Sequence, residues 1–110
     1  MPDQIQLVLN EYKEKIKSIF GDSLVQIILY GSYARGDFHK GSDIDIMILT
    51  TLPDDKISSY DDKVFDMTFD FNWEHDVEIM PIIKNELHFN YWKNAYMFYK
   101  NIDEEGITLV

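Results

Sequence analysis

Apolar side chains in residues 3–20 fall at Ile5, Val8, Leu9, Tyr12, Ile16 and Ile19. That is the three- and four-residue spacing of a helix with one buried face. Asp3 stands where an N-cap is expected, and Gly21 where such a helix stops. The pattern then changes. Leu24-Val-Gln-Ile-Ile-Leu-Tyr30 is short, apolar and β-branched, which predicts a strand. Glycines at 31, 36 and 41 punctuate the next segment, and a second strand is predicted over about 43–50, ending at the Thr51-Leu52-Pro53 turn. Helical spacing returns at Ile57, Tyr60, Val64, Met67 and Phe71, within a helix expected from Lys56 to about Phe71. A third strand follows over Val77–Ile83. Phe89, Trp92, Tyr96, Tyr99 and Ile102 mark one more amphipathic helix over Asn85–Asp103, and Gly106–Val110 reads as a short terminal strand or an extended end. The order α-β-β-α-β-α predicts a mixed α/β or α+β sheet with helices packed on one face.

At 110 residues the chain suits one domain, 1–110, with a single core. Its hydrophobic fraction of 45% and charged fraction of 27% are those of a folded globule. Nothing approaches the roughly 18 apolar residues of a membrane span. The N-terminal residues lack the basic-then-apolar order of a secretory leader. The absence of cysteine removes disulfides and thiolate metal sites, and fits a cytoplasmic protein. Twenty acids against ten bases leave a formal charge of -10, with the bases scattered. General nucleic-acid binding needs clustered Lys and Arg, so it is not expected. A small anionic substrate remains compatible, because bound divalent cations invert the local charge.

Two acids, Asp43 and Asp45, interrupt the second apolar strand. Residues i and i+2 of a strand share a face, so these carboxylates project together while Ile44, Ile46 and Ile48 fill the other side. Side by side they repel and raise each other's pKa. A divalent cation between them reverses that cost, and Mg²⁺ prefers carboxylate oxygen with substrate phosphate completing its shell. Upstream, Gly31 permits a sharp turn and close ligand approach. If Ser32 to Arg35 open a helical turn, their amides and the Ser32 hydroxyl point at an anion, and Arg35 adds a charge-assisted contact. A phosphate cradle near a metal-binding acid pair suggests a nucleoside triphosphate with its Mg²⁺.

Gly31-Ser32, a ten-residue interval and then Asp43-x-Asp45 resemble the signature of the DNA polymerase β-type nucleotidyltransferase superfamily. The fuller run Gly-Ser-Tyr-Ala-Arg-Gly followed by Ser42-Asp43-Ile44-Asp45 resembles its minimal nucleotidyltransferase branch. The likeness is specific over residues 30–46 and looser across nearly the whole chain. It implies a small nucleotidyltransferase fold and a third carboxylate on a neighbouring strand. In "HDVEIMPII" that acid is Glu78, where the family pattern has Asp; Asp76, two residues earlier, is the fallback. The resemblance implies two Mg²⁺ ions held by Asp43, Asp45 and Glu78. It gives the triphosphate to Gly31, Ser32, Arg35 and Ser42, with ATP or another nucleoside triphosphate as donor. It further implies transfer of AMP to a hydroxyl acceptor, and a HEPN-type helical partner that this chain serves as antitoxin.

Plainer explanations stand beside each of these. The aspartates can be ordinary acids at a solvated strand end, Glu78 an exposed edge-strand acid, and Arg35 the ion-pair partner of Asp37. His39, His75 and His88 have no ligand-like spacing, and no Ser-His-Asp arrangement has support. The aromatic tail reads as core packing, with part of it available to a partner. The rival functional expectation is a catalytically weak or inactive module of the same fold that neutralises or scaffolds a partner. A nucleotide sensor that binds ATP without cleaving it is a third.

Overall fold

The computed structural model describes residues 1–110 throughout. Its elements are helix α1 (Asp3–Phe20), a 3-10 turn (Gly21–Ser23), strand β1 (Leu24–Tyr30), the one-turn helix α2 (Ser32–Arg35) and strand β2 (Ile44–Thr50). Helix α3 (Asp54–His75), strand β3 (Ile79–Asn85), helices α4 (Glu86–Trp92) and α5 (Met97–Glu105) and the short strand β4 (Ile107–Thr108) complete it. The sheet order is β3-β2-β1-β4. β1 runs antiparallel to β2 and β4, and β2 runs parallel to β3. A mixed α/β fold is therefore as expected from the pattern of the chain.

β3 lies two residues later than the expected Val77–Ile83, and three further details depart from expectation. Asp3 is the first residue of α1 rather than its cap: Pro2 precedes it and no side chain caps the helix. Gly21 does end the helix, at φ 55°, with its N–H donating to the Lys17 carbonyl. The single tail helix is two. The amides of Ala95 and Tyr96 both return to the Trp92 carbonyl, at 2.9 and 3.0 Å, and the backbone of Tyr96 is extended. An unbroken helix over 85–103 would be about 28 Å long, more than the roughly 23 Å of a seven-residue strand. The bend lets both halves stay on the sheet.

The third departure is that the helices lie on both faces of the sheet rather than one. α1 and α3 pack Tyr12, Ile16, Val64 and Phe71 against Ile27, Leu29, Ile44, Ile46 and Ile48. On the opposite face α4 and α5 set Phe89, Tyr99 and Ile102 against Ile28, Met47 and Leu49. β2 is thus covered twice, which is why it reads as a nearly continuous apolar run. Between α1 and α3, the buried hydroxyls of Tyr12 and Thr68 lie 2.7 Å apart. Burial pushes the Tyr12 phenol up to about 12, and the Thr68 bond partly offsets this. β3, an edge strand, is tied to α3 by the Asn72 amide, which donates to the Ile79 carbonyl (3.1 Å) and accepts from its N–H (2.9 Å).

Candidate active site

The acids lie where β2 begins. β2 starts at Ile44, so Asp43 is the last residue of the preceding loop and Asp45 the second of the strand. Asp45 pairs with Tyr30, the final residue of β1. The chain leaves β1 through Gly31, at φ 77°, and enters α2 directly. A Cβ on Gly31 would overlap the Asp45 carboxylate oxygen, so this position needs glycine both for its backbone and for the acid beside it. Ser32 to Arg35 do form a helical turn. The Arg35 and Gly36 amides close it onto the Gly31 and Ser32 carbonyls, leaving the first amides of α2 without partners inside the helix.

These parts share one cleft of about 680 Å³. Gly31, Ser32, Arg35, Ser42, Asp43 and Asp45 all line it. The opposite wall is α5, which contributes Phe98, Asn101, Ile102 and Glu105. Sequence reasoning assigned that helix to the core. The signal it overlooked is the polar pair Asn101 and Glu105, four residues apart on the side turned away from Tyr99. Tyr30 also lines the cleft and meets Phe98 edge-on, with ring centroids 5.7 Å apart.

Charge in the cleft is unbalanced. Desolvation raises the Asp45 carboxyl above the usual aspartate range, the neighbouring Asp43 raises it further, and Arg35 draws it back. Burial, with Asp45 second, pushes the Tyr30 phenol up to about 12. No ion pair engages Asp43 or Asp45. Arg35 is turned elsewhere: its Nε lies 3.2 Å from Asp37 and its Nη1 3.6 Å from Glu105 of α5. The expected alternative, a pair with Asp37, is therefore present beside a second pair across the cleft. Ser42 serves the loop: its hydroxyl accepts the His39 N–H at 2.9 Å while its own amide returns to the His39 carbonyl. The half-buried Asp45 carboxylate and the exposed Asp43 carboxylate beside it form a donor set that fits a hard divalent ion.

Glu78 is not brought into this cleft. It sits one residue before β3, and its carbonyl accepts the Ile44 N–H at 2.8 Å. Its exposed side chain lines a different cavity, with Gly41, Ser42 and Val77. Gly41 and Ser42 line both cavities, so the two adjoin at that turn, with Glu78 lining one and the aspartates the other. No three acid or histidine side chains converge closely enough to hold a metal ion together. Asp76, the fallback, is not on the strand at all: it ends α3 in the left-handed region at φ 53°.

A family model described as a nucleotidyltransferase domain matches residues 9–107. The chain belongs to the nucleotidyltransferase domain family. Three proteins of Methanocaldococcus jannaschii, whose names provisionally assign protein adenylyltransferase activity, are similar to it. One is 35% identical over 101 residues, covering 92% of this chain and 93% of its own length. A second is 36% identical over 77 residues, 69% of this chain and 75% of that one. A third is 38% identical over 78 residues; the match covers 69% of this chain but only 52% of that longer protein. Two solved structures share the nucleotidyltransferase fold at lower identity. One is a toxin–antitoxin with AMP-PNP, at TM-score 0.56 and 20% identity over 91% of this chain and 71% of that one. The other is the toxin–antitoxin MntA-HpeT with two aspartates changed to glutamate, at TM-score 0.55 and 18% identity over the same shares. Family membership and the adenylyltransferase relatives support a nucleotidyl-transfer enzyme.

Proposed function

We propose that this protein is a Mg²⁺-dependent nucleotidyltransferase that moves a nucleoside monophosphate, AMP from ATP by preference, onto a hydroxyl of a partner protein. The observation that carries the reading is the meeting of the Gly31-Ser32 turn with Asp43 and Asp45 in one cleft, in a chain of this family. The names of the relatives favour ATP and a protein acceptor. The toxin–antitoxin neighbours favour an antitoxin role beside a protein partner; a helical, HEPN-type partner in the cytoplasm is the form that the family resemblance gives this reading.

The free amides at the start of α2 and the Ser32 hydroxyl would bind the polyphosphate. Asp43 and Asp45 would hold Mg²⁺, two ions with Glu78 as the further acid; when bound, the ions supply charge stabilisation to the entering and leaving oxygens. In transfer, the acceptor oxygen bonds to the α-phosphorus and the bond from that phosphorus to the bridging oxygen breaks. The electron pair departs with pyrophosphate, whose charge Arg35 offsets once free of Glu105. The acceptor's proton passes to a carboxylate. Glu78, which lines the adjoining cavity, would take that role only with its side chain turned into the cleft.

A second reading rests on that same separation. With Glu78 outside the cleft and Arg35 paired to two acids, the fold suits a binding module that neutralises a partner without turnover. ATP labelled at its α-phosphate, incubated with Mg²⁺, this protein and HEPN-type candidates, distinguishes the two. Labelled partner that disappears with Asp43→Asn/Asp45→Asn is the expected result. Equal partner binding with no label in either case establishes the module instead.

A further inference from the structure

The outer face of α3 carries a feature the cleft does not use. Phe65, Phe69 and Trp73 recur every four residues on it, 47%, 73% and 87% exposed. The buried side of the same helix is Ile57, Val64, Thr68 and Phe71, so these three rings contribute nothing to the core. At about 100° per residue, Asp55, Asp62 and Asp66 fall within about 60° of Phe69 around the helix. The two lysines of the helix, Lys56 and Lys63, lie about 120–140° away. These aspartates are exposed and none forms an ion pair. The face continues past the helix end into a 450 Å³ hollow where Phe69 and Trp73 meet Val77 and two more acids, Asp76 and Glu78.

We infer that this face docks a Lys/Arg-bearing amphipathic helix of a partner protein. Apolar anchors spaced by one helical turn suit helix-in-groove recognition, and an acidic margin selects a basic partner. The same margin argues against the other occupants. A second copy would bring its own aspartates against these, in a chain already at -10. Anionic lipid and nucleic acid are repelled for the same reason. Its three aromatic residues lie outside the cleft, and only Glu78, at the margin of the hollow, also figures in the proposed chemistry.

The probe is a synthetic leucine/lysine amphipathic peptide of about 18 residues, long enough to hold a helix. Controls are its leucine/glutamate counterpart and a leucine/lysine peptide of the same composition with the apolar stripe scrambled. Binding is read by anisotropy of the labelled peptide. A Trp92→Phe background adds the emission of Trp73, then the only tryptophan. The expected result is saturable binding of the lysine peptide with a blue shift of Trp73. Affinity should fall at least tenfold in Phe69→Ser/Trp73→Ser, while melting temperature and ATP affinity by calorimetric titration stay unchanged. Neither control peptide should bind comparably. Unchanged affinity in the double variant, or equal binding of the scrambled peptide, would mean attraction by bulk charge alone and overturns the inference. So does an absence of binding, or a wild-type dimer in sedimentation that the double variant abolishes.

Discussion

Asp45 is held between two demands. Burial and the adjacent Asp43 keep its carboxyl above the ordinary aspartate range, yet a cation ligand must be ionised. The folded protein therefore holds this proton more tightly than the unfolded chain does. Stability from this group is present at acid pH and lost as pH rises through the raised value. Asp45→Asn should consequently melt a few degrees above wild type at neutral pH without Mg²⁺, and the gap should close in acid. Label transfer by the same variant should be lost. A lower melting temperature at neutral pH would contradict this account of the site. Gly31 is the complementary case. Gly31→Ala places a side chain at φ 77° and against the Asp45 carboxylate. About 1–3 kcal/mol of stability should go, measured by denaturant titration, together with nucleotide binding.

Elements deliver these residues to one another. β3 is held to α3 by both functions of the Asn72 amide. Asn72→Ala leaves a backbone N–H and C=O at the sheet edge unpaired, so chemical denaturation should register a loss of about 1–3 kcal/mol. Helix α5 acts at longer range. Its Glu105 reaches across the cleft to Arg35, so the only base lining the phosphate side besides His39 is partly occupied. Glu105→Gln removes a negative charge from the cleft and releases one of the arginine's partners. Nucleotide affinity, followed by calorimetric titration, should rise several-fold. An unchanged or weaker affinity would mean that Arg35 is not a phosphate contact. The bend between α4 and α5 is what brings Glu105 to that position, and a straight tail helix would not.

The molecule as a whole is strongly acidic, at -10 over 110 residues. Like charges on a body this small repel, and the repulsion acts over roughly 10 Å at 0.1 M salt. Raising NaCl from low to near-physiological concentration should therefore raise the melting temperature, a trend that scanning calorimetry measures. A flat response would indicate that the acids are locally compensated. No helix is long and apolar enough to cross a membrane. The exposed aromatic face of α3 and the cleft share no lining residue, so partner capture and nucleotide binding can be disrupted one at a time.

Periodicity alone determined β1, β2 and most of α1 and α3, because each buries a stripe or a run that its own spacing declares. The same spacing exposed the anomaly of Asp43 and Asp45, and the Gly31-Ser32 turn could be read locally because its requirements are local. Position across the chain could not be read that way. One amphipathic pattern from Asn85 to Asp103 is equally satisfied by a straight helix or a bent pair. Only the finite length of the strands and the bare second face of the sheet decided for the pair. Glu78 matches its motif in sequence, yet its side chain lines the adjoining cavity rather than the cleft of the aspartates, and Arg35 finds Glu105 seventy residues away. Those outcomes depend on which surfaces are left to cover once the first layer has packed, and a linear pattern does not contain that information.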